Sequence, residues 1–201
     1  MKIIGLTGPS GAGKGFCYSF FETHGIPCID TDDVYHKLLI PPSDCVDELV
    51  KNFGETILSD SREIDRKKLA NMVFSDATHK KLDTLNSITH KYVIEKTKAF
   101  LETYQKEKRI AAVIDAPLLF EARIEKLCNF TIAVISKKDL RLNRIMARDS
   151  ITEEAAKMRI DAQKSSDYYT SNATYTVTNN SDIESLNSQL KIILKKEAII
   201  G

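Results

Sequence analysis

Gly8-x-x-x-x-Gly13-Lys14 is the stretch of this chain with the most specific chemistry. Glycines let a backbone turn with positive φ and approach an anion closely. Successive N–H groups can then point into one concavity, and a following helix adds its positive end. Lys14 would bring a mobile charge to the outer phosphates. The pattern stands between an apolar run, Lys2 to Leu6, and a helix-like segment, which is the strand–loop–helix setting that a phosphate-binding loop needs. The alternative is a glycine-rich turn that only joins strand to helix. The strand-first placement and the Gly13-Lys14 pair argue against it.

Two further groups of residues suit phosphoryl chemistry. Asp30, Asp32 and Asp33 crowd the end of a short apolar run, Ile26 to Ile29. Acids at the C-terminal end of a strand lie where open α/β sheets bind ligands. Asp32 is the candidate general base for an acceptor hydroxyl. Asp33 fits better as a first-turn helix acid, and Asp30 fits either reading. Arg141, Arg144 and Arg148 fall at i, i+3 and i+7, on one helical face. A solvated basic face is the plain reading. A lid over a transferring phosphate is the sharper one, because guanidinium forks match phosphate oxygens. Asp115 closes a third apolar strand, as a Walker-B-like acid does. It is placed either to reach Mg²⁺ through water or to satisfy the loop lysine.

The elements that must position these groups follow from hydrophobic pattern. Phe16, Cys17, Phe20 and Phe21 give an apolar face to a helix from about Gly13 to Thr23, stopped by Gly25. Residues 41–109 are polar and helix-rich. Ser43 to Phe53 is helical and ended by Gly54, a helix opens after an Asp65 N-cap, and Thr78 to about Lys106 is helical with a break near His90. Ile110–Asp115 and Phe130–Ile135 read as buried parallel strands. Leu140 to Arg148 is a basic helix, and Ser150 to Glu153 caps a second one reaching about Gln163. Thr174 to Thr178 is a fifth strand, and Ile183 to Ile199 a closing helix. Strands alternating with helices imply a parallel sheet covered on both faces.

Composition narrows the partners. The chain has 201 residues, with 29 Lys plus Arg against 28 Asp plus Glu, so its formal net charge is +1. Such a balance excludes a general nucleic-acid or membrane-surface binder. No apolar run approaches the roughly 20 residues of a membrane helix. The chain opens directly into a strand, so no signal peptide is expected. Cys17, Cys28, Cys45 and Cys128 are scattered, which suits packing in a reducing cytoplasm. His24, His36, His79 and His90 have no zinc-ligand spacing.

Taken in order, the motifs resemble those of the dephospho-coenzyme A kinase family. They are Ile4-Gly5-Leu6-Thr7-Gly8, Gly11-x-Gly13-Lys14, Ile29-Asp30-Thr31-Asp32, Ile64-Asp65-Arg66-Lys67-Lys68-Leu69-Ala70 with Val73-Phe74, Thr89-His90, Asp115-x-Pro117-Leu118-Leu119-Phe120-Glu121, and Arg144-x-Met146-x-Arg148-Asp149. The resemblance spans about residues 2 to 180. It implies an α/β, three-layer P-loop kinase fold with a five-stranded parallel sheet, a helical substrate-binding insertion and a helical lid. The core would be 1–40, 110–136 and 164–201, the insertion 41–109 and the lid 137–163. It implies ATP-dependent phosphorylation of the ribose 3′-hydroxyl of dephospho-CoA in the cytoplasm, by a monomer or weak homo-oligomer.

By the same resemblance Asp32 is the base, and Lys14 and Arg144 serve the transfer. Gly11, Ala12, Gly13, Lys14, Gly15, Phe16, Arg144 and Arg148 hold ATP. Asp32, Arg66, His90, Pro117, Leu118 and Leu119 hold dephospho-CoA. Four positions depart from the family pattern. Gly15 and Phe16 replace Ser-Thr, the first of which usually binds Mg²⁺ directly. Adenylate-kinase-like enzymes also carry Gly-Lys-Gly, so Mg²⁺ held through water, with Asp115 nearby, is the expectation. Lys91 replaces a proline, and Thr174 an aspartate. Competing readings are another small-molecule kinase, a P-loop switch protein and a non-catalytic nucleotide binder. The switch protein is disfavoured by the lack of Asn-Lys-x-Asp and of Asp-x-x-Gly after strand three.

Overall fold

The computed structural model describes residues 1–201. Five strands form one sheet: β1 (Lys2–Thr7), β2 (Cys28–Asp30), β3 (Ala111–Asp115), β4 (Phe130–Ile135) and β5 (Tyr175–Thr178). Their order across the sheet is β2-β3-β1-β4-β5, and every neighbouring pair is parallel. The central strands are buried throughout their interiors, which is why β3 and β4 read as continuous apolar runs and not as alternation.

The sheet separates two packed faces. Ile4, Leu6, Val113, Ile132 and Val134 point to one side, where they meet Cys17, Phe20 and Phe21 of α1 (Lys14–Thr23) and the last helix of the chain. Ala112, Ile114 and Ala133 alternate to the other side and are fully buried too. Each fully buried Ile or Leu contributes about 1.5–3 kcal/mol from removing its surface from water.

The chain divides into two compact units, Met1–Asp30 with Thr103–Gly201, and Thr31–Glu102. The second unit begins ten residues before the helix-rich stretch marked by composition, because α2 (Thr31–Leu38) follows β2 without a loop. Val34 of α2 is buried, and Tyr35 and Leu38 pack on the cluster of Leu39, Leu49, Phe53, Ile57, Leu69 and Val73. The other helices here are α3 (Asp44–Phe53), α4 (Arg66–Phe74) and α5 (Lys80–Lys106), the last running past Glu102. Asp65 caps α4 as expected, accepting from Lys67 N and Lys68 N at 2.9 and 3.1 Å.

The expected break in α5 near His90 is absent, and the helix is continuous. A proline after His90 would have removed an N–H and clashed with the preceding turn. Lys91 does neither. Its Nζ donates to Glu48 Oε2 at 2.9 Å, and the Tyr92 hydroxyl donates to the same oxygen at 2.7 Å, tying α5 to α3.

Asp76 closes the N-terminus of α5. It accepts from the Thr78 hydroxyl, the Thr78 N–H and the Lys81 N–H at 2.7, 3.0 and 2.9 Å. These bonds, led by the Thr78 hydroxyl, hold its pKa at about 2 against an ordinary 3.8. The folded carboxyl is thus the stronger acid. Its stabilisation is full above the unfolded value and is lost as pH falls toward the folded one. The urea midpoint of Asp76→Ala should trail wild type at about pH 5, and the gap should narrow by about pH 2. A gap independent of pH would contradict this cap.

The C-terminal part of the first unit holds α6 (Lys138–Asp149), α7 (Glu153–Asp161), α8 (Ser166–Asn172) and α9 (Ile183–Lys196). Ile145, Ala156 and Ile160 make a small separate cluster between α6 and α7. Thr152 and Ser165 cap α7 and α8. Thr174, at the entry to β5, exchanges hydrogen bonds with Thr131: each hydroxyl accepts the other's backbone N–H, at 3.1 and 3.0 Å. That is how this chain ties β5 to β4 without an aspartate there.

Candidate active site

Parallel register brings the strand ends to one edge. Leu6 pairs with Asp115, Asp30 with Asp115, and Ile135 with Thr178. The loop after β1 therefore lies at the same edge as the β3 acid and the segments after β4 and β5. Two glycines show why the loop needs them. Gly8 has φ +147° and Gly13 has φ +103°. A Cβ at Gly8 would enter the Val134 carbonyl, and one at Gly13 would enter the Asn179 side-chain amide. Gly13 is also the N-cap of α1, whose first turn carries no acid. The positive end of the helix is left for a bound anion.

Lys14 opens α1, and its Nζ lies 4.0 Å from Asp115 Oδ1, with both side chains largely buried. The structure thus joins two of the sequence candidates. Thr7, fully buried, donates its hydroxyl to the Pro117 carbonyl at 3.4 Å and links the loop strand to the turn after β3. In that turn Leu119 is buried and Leu118 is exposed. Cys17 lies one turn beyond Lys14. Burial, with Asp115 adding to it, pushes its thiol up to about 12, so it is a neutral packing group. Burial likewise raises Cys28 and Cys128 to about 12 and Cys45 to about 11, and all four thiols are free.

All three arginines of the α6 stripe turn toward the loop. Arg141 is buried and donates Nε to the Ser10 carbonyl at 2.9 Å. Burial lowers its pKa, yet a guanidinium remains charged, and its Nη2 is satisfied by Gln163 Oε1 at 2.7 Å. Arg144 donates Nη1 to the Gly11 carbonyl at 3.3 Å and to Ser136 Oγ at 3.1 Å, and Nη2 to the Asn179 carbonyl at 3.1 Å. Arg148 reaches Ser10 Oγ at 3.2 Å and forms a two-bond fork with Asp149, which also receives Arg159. The fork with Arg148 is the chief reason the Asp149 carboxyl is more acidic than usual.

Three participants carry no clear signal in the sequence. Gln163 accepts from both Ser10 N–H and Arg141. Asn179 donates Nδ2 to the Ala12 carbonyl at 2.9 Å. Ser136 bridges Arg144 and the Asn179 carbonyl. Each is an uncharged side chain just past the end of an element: Ser136 follows β4, Asn179 follows β5, and Gln163 follows α7.

Gly15 sits in the first turn of α1 with nothing within 4 Å of a Cβ built on it, and Phe16 beside it is half-exposed. No group of three or more His, Cys, Asp or Glu side chains is placed to hold a metal ion.

The second unit holds the remaining candidates. Asp32 and Asp33 lie in the first turn of α2, both exposed. Asp33 Oδ2 is ion-paired with Lys37 Nζ at 2.7 Å, one turn along. Arg66 is the exposed first residue of α4, and His90 is a half-buried residue of α5. The β2 strand of the acid cluster is not next to β1, because β3 lies between them.

Comparison with known proteins places the chain in a family. The Dephospho-CoA kinase family model matches residues 2–185. The dephospho-CoA kinase of Lactobacillus johnsonii is 35% identical over 194 residues, 96% of this chain and 97% of that protein. Among solved structures, TT1252 from Thermus thermophilus aligns with TM-score 0.80 at 28% identity, over 100% of this chain and 98% of that one. The dephospho-CoA kinase from Campylobacter jejuni aligns with TM-score 0.70 at 26% identity, over 98% of each chain. This chain belongs to the dephospho-CoA kinase family.

Proposed function

We propose that this chain transfers the γ-phosphoryl group of ATP to the ribose 3′-hydroxyl of dephospho-CoA, giving coenzyme A and ADP, the last step of coenzyme A synthesis. The observation that carries the reading is the loop Gly8–Gly15 at the head of α1, with Lys14 in it and Arg144 and Arg148 bonded to it, in a chain of this family.

In this reading Asp32 accepts the proton of the 3′-hydroxyl as its oxygen bonds to the γ-phosphorus. The bond from that phosphorus to the β,γ-bridging oxygen breaks, and ADP leaves with the electron pair. Phosphoryl transfer is mostly positioning and charge stabilisation. The loop N–H groups, Lys14, Arg144 and Arg148 supply the positive groups for the charge on the phosphates. Arg66, His90 and Pro117 to Leu119 are assigned to dephospho-CoA.

Mg²⁺ is assigned to the nucleotide, and when bound it would offset phosphate charge. Its fit to this chain is indirect. Gly15 has no hydroxyl, and Asp115, whose carboxylate lies beside Lys14, would hold the ion through water. No helix is long and apolar enough to cross a membrane. We assign the protein to the cytoplasm, as a monomer or weak homo-oligomer. Incubation with Mg-ATP and dephospho-CoA, with parallel reactions on nucleoside and nucleotide acceptors, should yield coenzyme A and ADP in equal amounts. Transfer to another acceptor alone would assign the fold a different substrate.

Open space at Gly15 gives this reading a steric consequence. Gly15→Ser should fold normally, since serine is favoured over glycine in a helix by about half a kcal/mol. Transfer should persist, and half-saturation by Mg²⁺ should fall to a lower concentration as a hydroxyl becomes available. An unchanged Mg²⁺ titration would argue that the loop does not face the metal.

A further inference from the structure

The backbone of Ser10 is held at both of its polar atoms by side chains from the α6–α7 segment. Its carbonyl accepts from Arg141 Nε at 2.9 Å, and its N–H donates to Gln163 Oε1 at 3.1 Å. Arg141 and Gln163 close the ring, Nη2 to Oε1, at 2.7 Å. Ser10 is the third residue of the loop, and Gln163 is the second residue past α7. Two consecutive peptide groups, on either side of the Ser10 Cα, are thus held by side chains 131 and 153 positions away.

We infer that Gln163 is a positioning residue for ATP: with Arg141 it fixes the two peptide groups that flank the Ser10 Cα, so that the phosphate loop is already shaped when nucleotide arrives. The inference rests on the reading of Gly8–Gly15 as the ATP loop. A flexible loop would be ordered at the moment of binding, and that ordering would be subtracted from affinity. The ring removes this cost in advance. Gln163 is suited to the task because one amide oxygen can accept two donors, one from the loop and one from a buried guanidinium. Its side-chain oxygen takes both of these hydrogen bonds. Arg148 adds a third hold on the same residue through Ser10 Oγ.

Gln163→Met and Gln163→Glu separate positioning from bulk. Methionine keeps length and removes the acceptor. Glutamate keeps the acceptor and faces the Arg141 cation. Steady-state kinetics should give Gln163→Met a KM for ATP about tenfold higher, the scale of one lost hydrogen bond in a site. Its KM for dephospho-CoA should be unchanged, and its Tm should stay within about 2 °C of wild type. Gln163→Glu should return the KM for ATP to within about threefold of wild type. A normal KM for ATP in Gln163→Met would overturn the inference. So would equal losses in both variants, a rise in both KM values, or a loss matched by a fall in Tm. Absence of coenzyme A production by wild type would instead defeat the proposed function. Equilibrium ATP binding by the same two variants would then still decide the role of Gln163.

Discussion

Asp32→Asn is expected to retain ATP and dephospho-CoA binding while turnover falls by about 10²–10⁴-fold, the usual contribution of a general base. The change keeps the shape of the side chain and removes its proton acceptor. Three acids stand close in sequence, and their surroundings differ. Asp30 is the last residue of the edge strand β2, in register with Asp115. Asp33 lies on the same helical turn as Asp32, but its carboxylate is taken by Lys37 at 2.7 Å. Exposed i,i+4 pairs of that kind contribute about 0.3–0.5 kcal/mol. Asp33→Asn should therefore lose a few tenths of a kcal/mol in stability and little activity. Both variants should be assayed with the same substrate. An inactive Asp33→Asn beside an active Asp32→Asn would move the base to the other carboxylate.

Lys14→Ala should fold and lose transfer by on the order of 10²-fold or more, as a preorganised positive group does when removed from a charged transition state. The fold should survive because Lys14 contributes little to the apolar core, and α1 is anchored by Cys17, Phe20 and Phe21. Its near neighbour in charge is Asp115 at 4.0 Å. Alanine leaves that carboxylate without the lysine beside a site meant for phosphates, so ATP affinity should fall as well as kcat. Circular dichroism and thermal melting would establish the fold, and single-turnover kinetics the transfer step. Turnover near that of wild type would remove the phosphate-loop assignment.

Much of this was readable from local pattern. β4 runs from Phe130 to Ile135 as its apolar residues indicate, and the Asp65 cap and the Gly54 stop fall where their chemistry puts them. Elements with weak local signals were harder. The segment forming α8, Ser166–Asn172, is polar with one buried residue, Tyr169, and its sign is the Ser165 cap alone. The order of the strands could not be read either. Nothing near Cys28 says that its strand will pair with Val113 and not with β1. The arginine stripe illustrates the same division at the site. Its helical spacing was plain, but Arg141, Arg144 and Arg148 end on backbone or hydroxyl oxygens of residues over 130 positions earlier. Gln163 and Asn179 act through amide groups, and an amide in a sequence carries no mark of the partner it will find.

β1 also orders events in time. It precedes both of its partner strands, which begin at Ala111 and Phe130. Such separations give a high contact order, and loop closure must precede any gain from pairing. The residues up to Ala111 must be synthesised before this strand has a neighbour on either side. Until then an apolar strand with two open edges is a hazard for self-association. The helical unit Thr31–Glu102, whose contacts lie closer in sequence, emerges complete while that strand still waits. Nucleotide affinity is consequently among the last properties the nascent protein acquires.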